Sequence, residues 1–331
     1  MNMNWSLLRK LSEIHSVTGD TRAMTNFIVV ELNKLGVLNF VNHFGTVIAG
    51  DYRNAKLMFA AHIDQVGFQI TKINPDGTCS ILPIGWVFPN RLDHVPIYVN
   101  TLNGFILGAA FHKNRLKAEN IDRFSDLFAF FGTTSAEDTK KLGLSEGDFG
   151  SFKKEYWENE TSIFSSGIDN IVSIFVLLEE IRQNPSILDN VMIAFHNDEE
   201  MQDHGANSLS YEYAVEYCCI LDYCPVSNQF EAEDIVPSIH EGPFIVYRGG
   251  SHILHEDLRQ KLSKLSIPRA FISNITLPSL EPQNFQNNGV TKAFNYCIPA
   301  MGYHGSIYAV LKKNIIDFQA HLRVIKQILL D

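Results

Sequence analysis

The sequence lacks any run of apolar residues close to the roughly 18 that a membrane-spanning helix needs. Its first residues also lack a basic region followed by an apolar core and a small-residue cleavage site. We therefore expect a cytoplasmic protein without a membrane partner. There is no CxxC pair, and the cysteines are odd in number, which favours reduced, mostly buried thiols over a disulfide framework. They are Cys79, Cys218, Cys219, Cys224 and Cys297.

Basic side chains are also scarce relative to acidic ones. The 27 Lys and Arg residues face 37 Asp and Glu residues, which gives a formal net charge of −10. This balance argues against a general binder of nucleic-acid backbones. With 45% hydrophobic and 19% charged residues, the composition is that of a core-forming protein rather than a disordered one. The length of 331 residues suits two domains, or one domain that carries an insertion.

The most informative stretch is LMFAAHIDQVGFQI at residues 57–70. Its apolar first half predicts a buried strand, and His62 and Asp64 follow on one face of the extended chain. A histidine that binds a metal commonly donates its other ring N–H to a carboxylate. The pattern therefore suits a metal site. The alternative is a hydrogen-bonded core histidine, with Asp64 at the start of a turn.

Periodicity and turn residues divide the chain into an α/β part and a β-rich part. The first part contains helices at 5–15 and 20–35, the second with Asp20 as N-cap, and strands at 38–49, 57–61 and 66–73. Between 74 and 160 short apolar runs are cut repeatedly by proline and glycine, with one short helix at 135–142. This rhythm is typical of a small β-rich barrel or sandwich, and we predict a β-barrel-like domain inserted into the first one.

From residue 165 onward strands and helices alternate again. We predict helices at 168–182, 205–216, 253–265 and 308–330, and strands at 190–196 and 217–222. This βαβ rhythm is typical of a sheet with helices on both faces. The predicted fold is a three-layer α/β catalytic domain with a mixed central sheet, formed by 1–73 and 161–331. The inserted β-rich domain occupies 74–160.

Acidic residues and a second histidine lie where the predicted strands end. These residues are Asp169, Asp198, Glu199, Glu200, Asp222 and His304. Because ligands collect at the carboxyl ends of strands in open α/β sheets, these groups and His62 can share one crevice. Histidine and carboxylate together suit zinc or a similar divalent ion. Taken singly, Asp169 also fits a helix N-cap, and 198–200 also fits a solvated acidic turn.

A paired metal site needs a bridging carboxylate, terminal ligands on each metal and a free carboxylate that takes a proton from water. Glu199 and Glu200 are consecutive, so on an extended chain their side chains point in opposite directions. One of them can therefore bind a metal while the other acts as a base.

The ordered motifs AAHIDQVGF, SSGIDN, NDEEMQDHGA, ILDYC and YHGS resemble those of the glutamyl, lysyl and deblocking aminopeptidases. This is a co-catalytic di-metal family that often forms tetrahedral particles, and some members were formerly labelled endoglucanases. The likeness extends over nearly the whole chain, because SDLFAFFGTTSAEDTKKLGLSEGDF resembles the family's inserted β-rich domain.

The resemblance implies two divalent metal ions per subunit, zinc first, with cobalt or manganese as alternatives. It also assigns a role to each candidate residue. His62 and Asp222 would bind one metal, His304 and Glu200 the other, Asp169 would bridge them, Glu199 would be the general base, and Asp64 would orient His62.

By the same resemblance the chain would be an aminopeptidase that releases N-terminal residues from peptides through a metal-bridging water activated by Glu199. It would form a homo-oligomer such as a dodecamer, with the inserted domain as contact surface or substrate gate. Two alternatives stay open, namely hydrolysis of another amide such as an acylated amino acid, and a non-catalytic relative. They are motivated by departures from the family's pattern at Ile171, Met201, residues 290–292 and Tyr308.

Overall fold

The computed structural model describes residues 3–113, 123–226, 233–249, 252–273 and 281–331. Helices and strands are numbered separately in chain order. The α-helices in these ranges are α1 (Trp5–Glu13), α2 (Arg22–Lys34), α3 (Pro89–Leu92), α4 (Ala136–Lys141), α5 (Ile168–Gln183), α6 (His204–Glu212), α7 (Glu256–Leu262), α8 (Glu281–Asn287) and α9 (Lys312–Leu330).

The β-strands fall into one large sheet, one barrel and one small sheet. They are β1 (Asn39–Val41), β2 (Val47–Gly50), β3 (Leu57–His62), β4 (Gly67–Ile73), β5 (Cys79–Ile84), β6 (Val95–Thr101), β7 (Gly104–His112), β8 (Leu127–Phe130), β9 (Phe149–Phe152), β10 (Tyr156–Glu158), β11 (Ser162–Ser165), β12 (Val191–His196), β13 (Tyr217–Pro225), β14 (Phe244–Arg248), β15 (Arg269–Phe271), β16 (Lys292–Ala300) and β17 (Tyr308–Leu311).

The large sheet has eight strands in the order β1-β2-β12-β3-β13-β16-β14-β15. Its four central strands, from β12 to β16, are parallel to one another, and antiparallel pairs flank them on both sides. Every residue of β3, β12 and β13 is buried, as expected for parallel strands that are covered on both faces. The sheet is therefore mixed, as predicted.

Helices cover both faces of this sheet. Leu57, Phe59 and Ala61 of β3 belong to a core shared with α1, α2, α5, α7 and α9. Met58 and Ala60, which alternate with them, pack in a second core with α6 and α8. The predicted three-layer α/β architecture is thus confirmed.

A closed antiparallel barrel forms the second part of the fold. Its six strands follow the order β4-β5-β8-β7-β6-β9, and β9 pairs with β4 to complete the ring. The interior is a separate apolar core that includes Phe68, Ile81, Val99 and Ala129. The predicted barrel-like β-rich part is confirmed. Its first strand, β4, follows the large-sheet strand β3 after four residues and belongs to this different sheet.

Several predicted boundaries were wrong. Residues 38–49 form two strands joined by a turn, because Asn42 accepts backbone N–H bonds from Phe44 and Thr46. α2 begins after Thr21, and Asp20 contacts His15 at 3.0 Å instead of capping the helix. Segment 74–160 also contains α3 and a 3₁₀ turn (Phe124–Asp126) besides the predicted helix.

The largest differences between the predicted and the observed helices and strands lie in the C-terminal part. Residues 308–311 form β17, which pairs with β11, so the last helix begins only at Lys312. The strands β14, β15 and β16 and helix α8 were not predicted, and β13 continues past Asp222 to Pro225. β16 is the direct neighbour of β13 and leads to His304, so it is part of the frame of the site.

All five cysteines are buried and free, in agreement with the expectation of reduced, buried thiols. Among the residues that the structure describes, no helix has the length and apolarity required to cross a membrane.

Candidate metal centre

Strand parity and sheet register place two of the predicted ligands on one face of the sheet. His62 continues the face of Met58 and Ala60, and Asp222 continues the corresponding face of β13. Because β3 and β13 are parallel neighbours, both side chains lie at the carboxyl edge of the sheet. The shortest contact between them joins His62 Nε2 to Asp222 Oδ1 at 3.6 Å.

Asp169 lies at the start of α5, but it does not have helical dihedral angles, and neither does Asn170. The side-chain amide of Asn170 donates to the carbonyl oxygen of Leu221 in β13 at 2.8 Å. This bond fixes the first turn of the helix beside the strand that carries Asp222. Asp169 therefore points into the crevice instead of capping the helix.

Asp169 joins the two histidines. Its Oδ1 lies 3.1 Å from His62 Nε2, and its Oδ2 lies 3.4 Å from His304 Nε2. His304 Nε2 is also 3.4 Å from Glu200 Oε2. The ligand atoms thus form two groups that share Asp169, one with His62 and Asp222 and the other with Glu200 and His304.

The other ring nitrogen of each histidine contacts a main-chain oxygen. His62 Nδ1 lies 3.0 Å from the carbonyl oxygen of Asp64, and His304 Nδ1 lies 2.9 Å from that of Trp86. A carbonyl oxygen only accepts, so Nδ1 carries the proton and Nε2 of each ring faces the carboxylates. This is the tautomer that a metal-binding histidine needs.

Asp64 organises the two consecutive glutamates. Its carboxylate accepts the backbone N–H groups of Glu199 and Glu200, each at 3.2 Å, and the hydroxyl of Thr18 at 2.7 Å. The carboxylate itself lies 3.7 Å from His62 Nδ1, farther than the backbone oxygen of the same residue. Asp64 therefore contacts His62 mainly through its main chain and the glutamate turn through its side chain.

Glu199 occupies a different position from the three carboxylates and two histidines of the two ligand groups. Its Oε2 lies 3.9 Å from His62 Nε2, and its side chain is 15% exposed, whereas Glu200 is 3% exposed. It is therefore beside the shared groups and open to the crevice. Asp198, the third acidic residue of this turn, has a positive φ of 67° and lies 3.6 Å from His204 instead.

The site concentrates negative charge in a water-poor environment. Burial raises the pKa of Glu200 to about 8 and that of Asp222 to about 7. Burial also raises the pKa of Glu199 well above its usual value, with Glu200 and Asp222 acting in the same direction against His62. Ionising such carboxyl groups is costly in a buried site, and a divalent cation bound between them would stabilise their charged forms.

The donor set suits such cations. Each group offers one imidazole nitrogen and two carboxylates, and the ligand atoms within each group lie within 4.8 Å of one another. Mixed nitrogen and oxygen ligands of this kind suit zinc and similar divalent ions. The residues present therefore fit two metals that share one carboxylate.

Sequence analysis missed two buried side chains, His196 and Glu281, that lie next to the ligand groups. His196 ends β12 next to His62 in register, and its Nε2 lies 2.8 Å from Glu281 Oε1, with both side chains fully buried. Glu281 in turn joins Glu199 and Asp222 in a third acidic group. The sequence VMIAFH of β12 could have pointed to His196, because it ends in histidine after an apolar run, as LMFAAH of β3 does. No local sequence pattern points to Glu281.

The positions that depart from the family's pattern have ordinary structural partners. Ile171 is fully buried in the core below α5, and the sulfur of Met201 accepts the backbone N–H of Gly85 at 3.0 Å. Lys292 pairs with Glu216 at 3.1 Å, and Tyr308 packs edge-on against Tyr223. None of these side chains is a member of either ligand group.

The family profile of the M42 glutamyl aminopeptidases matches residues 44–271 of the chain. Among characterised relatives, the lysyl aminopeptidase of Pyrococcus furiosus is 25% identical over 250 residues, which cover 73% of this chain and 72% of that one. The predicted family resemblance is confirmed.

Solved structures show the same fold over nearly the whole length. The TET aminopeptidase of a marine sediment Thaumarchaeota archaeon superposes with a TM-score of 0.86 at 18% identity, covering 97% of this chain and 94% of that one. The TET1 peptidase of Pyrococcus horikoshii gives a TM-score of 0.80 at 21% identity, covering 96% and 97%. Since the family profile spans well over half of its residues, the chain belongs to the M42 glutamyl aminopeptidase family and is a hydrolase of peptide bonds.

Proposed function

We propose that the protein is a metal-dependent aminopeptidase that removes N-terminal residues from peptides. The proposal rests mainly on the two histidine–carboxylate groups, which share Asp169 and have Glu199 beside them. In this proposal His62 and Asp222 would hold one divalent ion, Glu200 and His304 would hold the other, and Asp169 would be shared by both sites. Zinc is the first candidate, and cobalt and manganese suit the same ligands.

Bound metals would polarise the scissile carbonyl and lower the pKa of the attacking water. The residues of the chain then have separate tasks. Glu199 accepts the proton of that water, which its partly exposed position in the crevice permits, and returns it to the leaving amine. Asp64 holds the turn that carries Glu199 and Glu200, and it fixes the His62 ring through its carbonyl oxygen.

We further propose a homo-oligomer that uses the barrel, which includes most of the inserted segment 74–160, as contact surface or substrate gate. In this arrangement 1–73, apart from the barrel strand β4, and 161–331 form the catalytic domain. The TET1 peptidase of Pyrococcus horikoshii assembles into a tetrahedron or an octahedral shell, which supports assembly here. Five free, buried thiols suit a reducing compartment such as the cytoplasm.

The test combines metal content with activity. Protein purified without chelators should contain about two divalent ions per chain by mass spectrometry, and Glu200→Ala or His304→Ala should lower that number. Glu199→Gln should retain the metals but lose about 10²- to 10⁴-fold in kcat, because it removes only the proton acceptor. His43→Ala, an exposed histidine outside both groups, is the matched control.

Three kinds of substrate distinguish an aminopeptidase from a hydrolase of other amides. An aminopeptidase should cleave aminoacyl amides and should fail on N-acetylated peptides and on acylated amino acids, because it needs a free amine. Equal rates on blocked peptides would contradict the proposal. A chain that holds no divalent metal after reconstitution would also contradict it, and would favour a non-catalytic relative.

A further inference from the structure

A segment of the barrel part lies against the metal centre. The carbonyl oxygen of Trp86 is 2.9 Å from His304 Nδ1, and the backbone N–H of Gly85 donates to the sulfur of Met201, the residue after Glu200. The side chains of Trp86 and Phe88 are 61% and 39% exposed. The Phe88 ring also lies 6.3 Å from the ring of Tyr303, the residue before His304, so Phe88 and Tyr303 form an aromatic wall on the His304 side of the site.

Arg91 follows in α3 and is held in this wall by two aromatic rings. Its guanidinium carbon lies 5.2 Å from the ring centre of Phe88 and 5.5 Å from that of Tyr303. The Tyr303 ring stacks on the His304 ring, with 4.1 Å between their centres and 17° between their planes. The guanidinium is thus one aromatic ring away from a proposed metal ligand, in a position that cation–π contacts define.

The guanidinium also borders the loop after His304. A Cβ atom added to Gly305 would lie 3.9 Å from Arg91 Nη1 and 4.0 Å from its Cδ, so glycine leaves this side of the cation uncovered. The neighbouring acid Asp93 contacts His94 and the backbone N–H of His112. In the part of the chain that the structure describes, no Asp or Glu forms an ion pair with Arg91.

An arginine keeps its charge at any physiological pH, and its fork of N–H groups matches the two oxygens of a carboxylate. Beside this acid-rich centre, a guanidinium without an acidic partner among the described residues offers a binding site for an anionic group of an incoming molecule. The partly exposed Phe88 ring provides apolar surface next to the guanidinium for the aliphatic part of that molecule.

We propose that Arg91 binds a carboxylate group of the substrate and thereby sets which peptides are preferred. This inference rests on the proposed aminopeptidase function. Two groups of a short peptide supply the same chemistry, namely an acidic side chain on the first residue and the C-terminal carboxylate of a dipeptide. Substrates that carry either one close to the scissile bond are bound more tightly than neutral ones.

The test compares three substrates on the metal-loaded enzyme. Glutamyl 4-nitroanilide has only the side-chain carboxylate, Leu-Gly only the C-terminal one, and Leu-Gly-amide has neither. Arg91→Met, which keeps an unbranched apolar side chain between the rings, should reduce the preference for the carboxylate-bearing substrate over Leu-Gly-amide by about 10- to 100-fold, mainly through KM. Arg91→Lys should retain part of the preference, because the charge stays but the fork is lost.

The control is Arg53→Met, because Arg53 also lies over an aromatic ring, that of Tyr52 at 5.5 Å, but borders a different groove. It should leave all three rates unchanged. A loss confined to the glutamyl substrate identifies the side chain as the group bound, and a loss confined to Leu-Gly identifies the C-terminus. Equal factors for all three substrates, or no change, would overturn the inference.

Binding measurements make the result independent of turnover. In the Glu199→Gln background, titration calorimetry with Leu-Gly, Leu-Gly-amide and glutamic acid α-amide should show tighter binding of a carboxylate-bearing ligand, and Arg91→Met should abolish the difference. An enzyme that hydrolyses none of the substrates refutes the proposed function alone. An active enzyme in which Arg91→Met changes neither selectivity nor binding refutes the role of Arg91 alone.

Discussion

At the scale of single residues, the glutamate turn of the site depends on side chains outside the ligand groups. Thr18 donates its hydroxyl proton to Asp64, which in turn accepts the N–H groups of Glu199 and Glu200. Thr18→Val removes one donor from a fully buried carboxylate. We expect kcat to fall by about tenfold, with little change in KM or metal content, because the turn loses part of its support while the ligands remain.

The comparison with Thr18→Ser decides whether the hydroxyl is responsible. Serine keeps the donor and should restore most of the rate. Thr46→Val is a suitable control, since Thr46 is also buried but its hydroxyl has no hydrogen-bond partner among the described residues. If Thr18→Ser is as slow as Thr18→Val, or if metal is lost, then Thr18 acts through packing rather than through Asp64.

Lys154 provides a pH-dependent prediction. Its ammonium group contacts the amide oxygen of Gln65 at 2.7 Å, and burial lowers the pKa of Lys154 from 10.5 to about 7. Between these values the unfolded chain binds more protons than the folded one, so the contribution of Lys154 to stability rises with pH from about 7 to about 10.5. Lys154→Met should remove this contribution.

The measurement is the free energy of unfolding of both proteins at several pH values between 6 and 10. The difference between Lys154→Met and the parent should favour the variant at the low end and shrink as pH rises. A constant difference over this range would show that Lys154 is not buried as a costly cation in the folded state.

At the scale of elements, the sequence predicted those strands whose local pattern of apolar residues is distinct. The runs in β3 and β12 are uninterrupted and apolar, so period and length identify them as buried strands. β16 was missed because its sequence KAFNYCIPA carries Asn295 and Pro299, although the strand is almost entirely buried. Its tertiary position between β13 and β14 overrides the weak local signal.

The closure of the barrel depends on Gly150 in β9. This residue pairs with Phe68 of β4 and with Val99 of β6, and a Cβ atom there would meet the Phe68 ring at 2.4 Å and the Tyr98 carbonyl oxygen at 2.6 Å. Gly150→Ala should therefore destabilise the protein by about 1–3 kcal/mol through overpacking. Thermal and urea unfolding followed by fluorescence measure the loss.

Gly36→Ala separates this steric cost from backbone strain. Gly36 has a φ of +69°, and nothing lies within 4 Å of the position where its Cβ would be. Alanine there should lower the free energy of unfolding by about 1 kcal/mol, because it must adopt the left-handed conformation without any steric clash. A loss for Gly150→Ala no larger than that for Gly36→Ala would mean that the barrel adjusts freely at β9.

At the scale of the whole molecule, the site is a consequence of topology. The ordered motifs indicated which side chains could be ligands, and the parallel strands bring their ends to one edge. Long-range contacts such as Arg91 with Tyr303 or Thr18 with Asp64 join segments about 212 and 46 residues apart along the chain, and no local pattern contains them. These contacts lie next to the proposed ligands, because Tyr303 stacks on His304 and Asp64 accepts the backbone N–H of Glu200.

The barrel also carries the prediction for assembly. The hairpin of β6 and β7 exposes Leu102 completely, Leu107 at 59% and Phe105 at 49%, which is a cluster of apolar side chains rather than a single exposed leucine. Contact between copies through this hairpin would remove these surfaces from water. The double variant Leu102→Lys with Leu107→Lys should therefore lower the mass of the particle measured by light scattering after gel filtration.

Leu38→Lys, at an exposed leucine before β1 on the large-sheet side, is the control and should leave the mass unchanged. If the double variant keeps the parent's mass, this hairpin is not the contact surface, and assembly must use another face.

The activity and metal content of the smaller particles provide a second test. Since all proposed ligands come from one chain, isolated subunits should still bind two metals, so a loss of activity without a loss of metal would show that assembly completes the substrate pocket rather than the metal centre.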